Sequence, residues 1–69
     1  MKLRCKLKSI FADRGIRQKE FAPKIGLSES GLSDLVRNIS IPKLDTALLI
    51  ANELDMDVKE IWVEIDDIS

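Results

Sequence analysis

Histidine is absent from this sequence of 69 residues, and Cys5 is its single cysteine. Protein zinc sites need several cysteine, histidine or carboxylate ligands, so we expect no metal site. Cys5 also lacks a histidine base to activate it, and the three glycines lie too far apart to form a phosphate-binding loop. We therefore expect a protein that is not an enzyme and that uses no cofactor.

Long hydrophobic runs are absent as well. The longest uninterrupted apolar stretch runs from Ala47 to Ala51, whereas a transmembrane helix needs about 20 apolar residues. The first eight residues, MKLRCKLK, carry charge but lack the apolar stretch of a secretory signal. A lone cysteine with no partner in the chain fits a reducing compartment. We expect a cytoplasmic protein that does not associate with membranes.

The length and composition indicate one folded domain. A chain of 69 residues is too short to bury two cores, and its 45% apolar and 33% charged residues are typical of globular proteins. Domains of this size often gain stability from a partner or a second copy.

Charge is distributed unevenly along the chain. Residues 1–24 hold eight basic and two acidic residues, a balance of +6, and residues 25–69 hold three basic and ten acidic residues, a balance of −7; together they give the net charge of −1. This asymmetry favours one face for phosphate and an opposite face for water or a protein partner. The alternative is that the lysines and arginines only solvate the first helix.

Apolar residues at helical spacing predict the first two helices. The first covers about residues 2–13, and Cys5 lies on its exposed side. Its buried stripe consists of Leu3, Leu7, Ile10 and Phe11. The second helix runs from Gln18 to Ile25 and contains Pro23, which lacks an amide donor. We therefore expect this helix to be short, bent or frayed near its start.

Three more helices follow by the same reasoning. The third runs from Glu29 to Val36 or Arg37, with Asn38 as its C-cap. Leu32, Leu35 and Val36 face inward on it. The fourth covers residues 44–54, and its apolar stripe consists of Leu44, Ala47, Leu48, Ala51 and Leu54. Asp57 is the expected N-cap of a fifth helix that holds Val58, Ile61 and Trp62.

Residues 63–69 alternate between apolar and acidic, which suits a short strand or an extended tail. With no other strand pattern, we expect an all-α fold. Its main domain covers residues 1–62 and its C-terminal tail covers residues 63–69.

Residues 18–37, QKEFAPKIGLSESGLSDLVR, carry the most specific pattern. Ala22 is small where two helices must cross closely, and Gly26 follows Ile25 where the chain must turn. Glycine adopts the positive φ of such a turn without strain. Leu27 then enters the core, and Ser28 can cap the next helix. This is the layout of a helix-turn-helix, whose second helix is presented to the DNA major groove.

The pattern resembles the Xre, or lambda-repressor-like, family of DNA-binding domains. The resemblance extends to LKSIFADRGIRQKEFA before it and IPKLDTALLIANELDMDVKEIW after it, so it covers roughly residues 3–62. It implies a compact five-helix bundle with the helix-turn-helix at helices 2 and 3. It also implies a transcriptional regulator, which we expect to be a repressor. Such a protein binds double-stranded DNA as a homodimer on a pseudo-palindromic operator. We expect no small-molecule ligand domain.

A DNA-binding function assigns roles to individual residues. Gln18 would bind a phosphate at the start of the second helix, and Arg17, Lys19 and Arg37 would add attraction that is independent of sequence. Positions matching Glu29, Ser30 and Asp34 commonly read bases in the family. Asn38 and Ser40 match positions where backbone amides meet phosphate. The third helix would present five residues to base edges or phosphates: Ser28, Glu29, Ser30, Ser33 and Asp34.

Three departures from the family pattern support an alternative function. One is Gly31 inside the third helix, where the family usually has a larger residue, so that Gly31 either permits closer approach or reduces contact. Glu29 and Asp34 place negative charge on a face that approaches a polyanion, and Ile39 stands where a lysine or arginine is frequent. The alternative is a protein–protein interaction module on the same fold with weakened DNA binding. We expect the homodimer to form through apolar residues of the C-terminal third, namely Trp62, Val63, Ile65 and Ile68.

Overall fold

The structure is a computed structural model that describes residues 2–65. Most of these residues are helical, and a two-stranded sheet joins the two ends of the described chain. None of the helices in residues 2–65 is long and apolar enough to cross a membrane. The elements in chain order are β1 (Lys2–Cys5), α1 (Leu7–Arg14), α2 (Gln18–Phe21), a 3-10 helix (Ala22–Ile25), α3 (Glu29–Val36), α4 (Leu44–Leu54), α5 (Val58–Ile61) and β2 (Trp62–Ile65).

The N-terminal segment corrects the predicted first helix and the all-α fold. Residues 2–5 form β1, which pairs antiparallel with β2 from Lys2 opposite Ile65 to Cys5 opposite Trp62. Along β1, exposed residues alternate with half-buried ones, and Leu3 and Cys5 pack against the core. Because Leu3 fits a period of two as well as a helical stripe, the partner strand decides its conformation. The fold is therefore mostly helical with a small antiparallel sheet.

The C-terminal segment adopts one of the two conformations that its alternation allowed. Val63–Ile65 continue a strand that begins at Trp62, so the strand prediction is confirmed for these residues and α5 ends at Ile61. The expected boundary between residues 62 and 63 falls inside β2. The remaining tail, residues 66–69, lies outside the described residues.

The core gathers apolar side chains from every helix and from β2. Leu7, Leu32, Ile50, Leu54 and Ile61 are its largest fully buried members. The ring centroids of Phe11 and Phe21 lie 5.0 Å apart, and this contact joins α1 to α2. The others are Ala22, Ile25, Leu35, Val36, Ala47, Ala51 and Trp62. This core holds the helix-turn-helix against α1 and α4.

The face that α4 turns to the core differs from the predicted stripe. Ala47, Ala51 and Leu54 are buried as expected, but Leu44 and Leu48 are exposed and Ile50 is fully buried. Residues 47, 50, 51 and 54 follow the i, i+3, i+4, i+7 spacing of one helix face. Leu44 and Leu48 lie beside that face. Their spacing in the sequence therefore could not show whether they are buried or exposed.

Cys5 is not the exposed surface cysteine that a helix over residues 2–13 predicted. Its side chain is half-buried and packs against the core from β1. Desolvation by burial raises the pKa of the Cys5 thiol, and a hydrogen bond from the Leu7 backbone partly opposes this effect. A raised pKa leaves less thiolate at neutral pH, and the thiolate is the reactive form.

Candidate nucleic-acid interface

The turn of the helix-turn-helix begins at a glycine in a left-handed conformation. Gly26 has a φ of 73°, as its position predicted. Its amide donates to the Pro23 carbonyl at 3.3 Å, and the Leu27 amide donates to the Ala22 carbonyl at 3.0 Å. A Cβ at Gly26 would meet no atom within 4 Å. The requirement for glycine is therefore the backbone conformation and not lack of space.

Pro23 divides the helix that precedes this turn. The α-helical part ends at Phe21, and Ala22–Ile25 continue as a 3-10 helix with Pro23 near its start. Proline has no amide to donate to the carbonyl four residues earlier, so the α-helical pattern cannot continue through it. The prediction of a short helix is confirmed. Ala22 is almost fully buried, in agreement with its expected place at a close helix crossing.

α3 begins at a side-chain cap. The Ser28 hydroxyl accepts a hydrogen bond from the Gly31 amide at 3.1 Å, which confirms the predicted N-cap. A Cβ at Gly31 would lie 3.1 Å from the same hydroxyl oxygen. The glycine at position 31 therefore has a structural reason, because it leaves room for the cap.

The opposite faces of α3 differ in burial, as predicted. Leu32, Leu35 and Val36 are buried in the core. On the outward side, Ser28, Glu29 and Ser30 are exposed, and Ser33 and Asp34 are half-buried. The first turn of α3 is therefore its most accessible part, and Glu29 there interacts favourably with the helix dipole.

The start of α2 lies beside the outward face of α3. Gln18 shares a cleft of about 400 Å³ with Glu29, Ser30 and Ser33. Half-buried Gln18 is thereby held next to three residues predicted to meet DNA.

Gln18 is flanked by exposed cations at the beginning of α2. Arg17 and Lys19 are both exposed, and the Arg17 carbonyl accepts from the Glu20 and Phe21 amides at 3.1 and 2.9 Å. Helix geometry leaves the amides of Gln18 and Lys19 without a preceding helical carbonyl. Because α2 has only four residues, its dipole is weaker than that of the predicted longer helix.

Backbone amides of the loop after α3 donate hydrogen bonds to carbonyls of the last turn of that helix. Arg37 is the C-cap of α3, and Asn38, the predicted C-cap, follows it with a φ of 61°. The Asn38 amide donates to the Leu35 carbonyl at 3.1 Å, and the Ser40 amide donates to the Asp34 carbonyl at 3.4 Å. The two backbone amides that the family pattern assigns to phosphate are thus engaged within the chain. The side chains of Arg37, Asn38 and Ser40 are exposed at this end of α3.

Asn38 also links this loop to the sheet. Its side-chain amide donates to the Leu3 carbonyl of β1 at 3.4 Å. The sequence did not predict this contact, because it depends on residues 2–5 forming a strand. It connects the loop that follows α3 to β1.

The site contains no evident place for a metal. Among residues 2–65, no group of three or more histidine, cysteine, aspartate or glutamate side chains could hold an ion. The side chains of the candidate interface carry hydroxyl, amide, carboxylate and cationic groups. These are the groups that contact phosphates and base edges.

The comparison with known families agrees with this geometry. A family model described as Helix-turn-helix matches residues 7–61, which include both helices, the turn and the closing helices. The chain belongs to this family. It is the Xre, or lambda-repressor-like, family that the sequence resembles. No curated protein matches the chain. Membership of this helix-turn-helix family indicates DNA binding in the regulation of transcription.

Proposed function

We propose that this protein is a sequence-specific transcriptional repressor that binds a pseudo-palindromic operator as a homodimer. The cleft shared by Gln18 of α2 and the outward side chains of α3 is the observation that carries the proposal. It joins a residue suited to phosphate with a helix suited to base edges. α3 enters the major groove with its capped N-terminal turn foremost.

The contacts divide into positioning and reading groups. Gln18, Arg17 and Lys19 hold the backbone on one side of the groove, and Arg37, Asn38 and Ser40 approach it from the end of α3. The reading groups lie on α3 and its cap: Ser28, Glu29, Ser30, Ser33 and Asp34. A carboxylate such as that of Glu29 can accept a hydrogen bond from the amino group of cytosine.

The recognition helix is short, and this is the reason for proposing a homodimer. An α-helix of eight residues spans about 12 Å, so one copy contacts only a few base pairs. A second copy doubles the number of bases read, and a two-fold dimer requires half-sites related by the same symmetry. Repression is the outcome that operator occupancy alone produces, since it requires no contact with the transcription machinery.

Selection of bound sequences from a random double-stranded DNA library tests the proposal. We expect a recurring half-site, repeated in inverted orientation with a spacing of about 10 base pairs between half-site centres. Fluorescence anisotropy on the selected DNA should then show an affinity that falls steeply as salt concentration rises. Recovery of no enriched sequence, together with salt-independent binding, would contradict the proposal.

The alternative, a protein–protein module, makes the opposite prediction for the acidic residues of α3. Glu29 is exposed and Asp34 is half-buried on the outward face. If that face binds a protein, replacing both carboxylates by alanine leaves DNA binding unchanged. If it reads DNA, Glu29→Ala changes base preference. Lys24→Ala is a suitable control, because Lys24 is exposed in the 3-10 helix and does not line the cleft that contains Gln18.

A further inference from the structure

The first strand carries basic side chains on its exposed face. Lys2 and Arg4 are exposed in β1, whereas Leu3 and Cys5 are half-buried and pack against the core. Successive residues of a strand point to opposite faces, so Lys2 and Arg4 share the outward face of the sheet. Neither is among the residues that the sequence assigned to DNA.

The outer edge of β1 faces the loop after α3. The Lys6 amide donates to the Ile61 carbonyl at 2.8 Å, which continues the register of the two strands. In an antiparallel pair, such bonded positions alternate with positions whose amide and carbonyl point away from the partner strand. Because Leu3 is three residues from Lys6, its carbonyl points away from β2. It accepts a hydrogen bond from the Asn38 side chain at 3.4 Å. β1 therefore lies between β2 and the loop.

This arrangement brings a basic side chain next to the end of the recognition helix. Lys2 lines a groove of about 340 Å³ together with Asn38 and Ile39. The Ile39 amide donates to the Asp34 carbonyl at 2.9 Å, so the groove begins at a residue bonded to the last turn of α3. Lys2 and the loop are far apart in the chain, and the pairing of β1 with β2 brings them together.

The end of α3 needs positive charge if it is to approach phosphate. A helix C-terminus carries partial negative charge, and Asp34 adds a carboxylate in the last turn. The backbone amides of residues 38–40 all donate to carbonyls of α3, so they are already engaged. Arg37 is the basic residue of the stretch from residue 34 to residue 40. Lys2 and Arg4 add positive charge beside it.

We infer that β1 is a second phosphate-binding element, in which Lys2 and Arg4 contact the DNA backbone beside the end of α3. The inference rests on the proposed function for the placement of α3 in the major groove. One DNA strand carries a phosphate about every 3.4 Å along the helix axis. A cationic strand beside the loop therefore meets phosphates next to those proposed for Arg37. Continuity with the candidate interface favours DNA phosphate over an acidic protein.

The two cations lie on a different strand from the residues predicted to form the homodimer. Trp62 is 8% exposed and belongs to the core, which corrects its expected place on a surface. Val63 is half-buried in β2, and Ile65 is 41% exposed. Ile68 lies outside the described residues. Because β1 lies between β2 and the loop, its contact with DNA does not require a second copy to bind at β2.

The salt dependence of DNA binding by the full chain tests the inference. Lys2→Gln and Arg4→Gln remove a charge and retain a long polar side chain. Lys24→Gln is the matched control, because Lys24 is exposed in the 3-10 helix and lines neither this groove nor the cleft of Gln18. Circular dichroism should show the same helix content in all the variants, since each replaced side chain is exposed.

Each lost phosphate contact lowers the slope of log affinity against log salt concentration by about 0.9. We expect this decrease for Lys2→Gln and for Arg4→Gln, and a decrease of about 1.8 for the double variant. We expect the native slope for Lys24→Gln. An unchanged slope in the double variant would overturn the inference, and so would an equal decrease in Lys24→Gln.

DNA in which single phosphates are replaced by neutral methylphosphonates locates the contact. Replacement beside the C-terminal end of α3 should weaken binding by the native chain about as much as the loss of one cation does. The double variant should be insensitive to replacement at the same positions, because it no longer carries the charges that meet those phosphates. If the double variant and the native chain lose the same affinity at every position, the cations do not contact the backbone and the inference fails.

Sequence selectivity separates this inference from the proposed function. If no sequence is enriched from a random library but the double variant lowers the salt slope on mixed-sequence DNA, the phosphate contact stands and sequence-specific regulation fails. If a sequence is enriched and the double variant keeps the native slope on it, the proposed function stands and the inference fails. A native chain that binds no DNA overturns both.

Discussion

Replacing Ser28 by alanine tests the cap that begins the recognition helix. The change removes the hydroxyl that accepts the Gly31 amide at 3.1 Å. Loss of a serine N-cap costs about 0.5–2 kcal/mol. Because this hydrogen bond is exposed, water can replace the lost acceptor, and we expect about 1 kcal/mol. For a domain of this size, that loss lowers Tm by about 4–8 °C.

Ser28→Asp separates capping from DNA contact at the same position. An aspartate retains the acceptor and adds a negative charge at the positive end of the α3 dipole, worth about 0.3–1 kcal/mol. We therefore expect Ser28→Asp to be at least as stable as the native chain. Its DNA affinity should nevertheless fall, because the added charge lies where α3 approaches phosphate.

Thermal unfolding followed by circular dichroism and fluorescence anisotropy with DNA measure the two effects. Ser9→Ala is the control, because Ser9 is exposed within α1 and is not its N-cap. An unchanged Tm for Ser28→Ala would refute the energetic importance of the cap. Unchanged or tighter DNA binding by Ser28→Asp would refute the position of Ser28 at the interface.

Other predictions concern the interface, a helix end and the half-buried thiol of Cys5. Gln18→Ala should weaken binding to all DNA sequences by a similar factor; relaxation at a single base pair in a binding selection would contradict this. Glu29→Ala should lower specific affinity by about 1–3 kcal/mol at one base pair and raise non-specific affinity; anisotropy on matched and mismatched DNA measures both. Asp55→Gly should raise the free energy of unfolding in urea by about 0.5–1 kcal/mol, because Asp55 has a φ of 56°; a loss of stability would show that this conformation is not strained. Because burial raises the pKa of the Cys5 thiol above its ordinary value, the folded state favours the neutral thiol, and stability should decrease as pH rises past that ordinary value; Cys5→Ser should remove this contribution in pH-stepped urea titrations.

Local features of the helices were predictable from the sequence because they depend on neighbouring residues. Gly26 adopts the expected positive φ, and Ser28 caps α3. Asp57 caps α5 as expected, accepting from the Lys59 amide at 2.9 Å, while Glu60 accepts from the Asp57 amide at 3.1 Å. A cap or a tight turn is complete within about four residues, so its residue types indicate its geometry. The roles assigned to individual residues at the DNA interface remain predictions.

The sequence by itself therefore determined the helix-turn-helix, its turn and the inward face of α3. The tertiary structure alone decided the conformation of β1, whose partner β2 lies about 60 residues away in the chain. It also decided that Trp62 enters the core and that Leu44 stays exposed. A short strand depends on distant backbone hydrogen bonds, and the burial of a helix face depends on what packs against it. Neither can be derived from the spacing of apolar residues within a single segment.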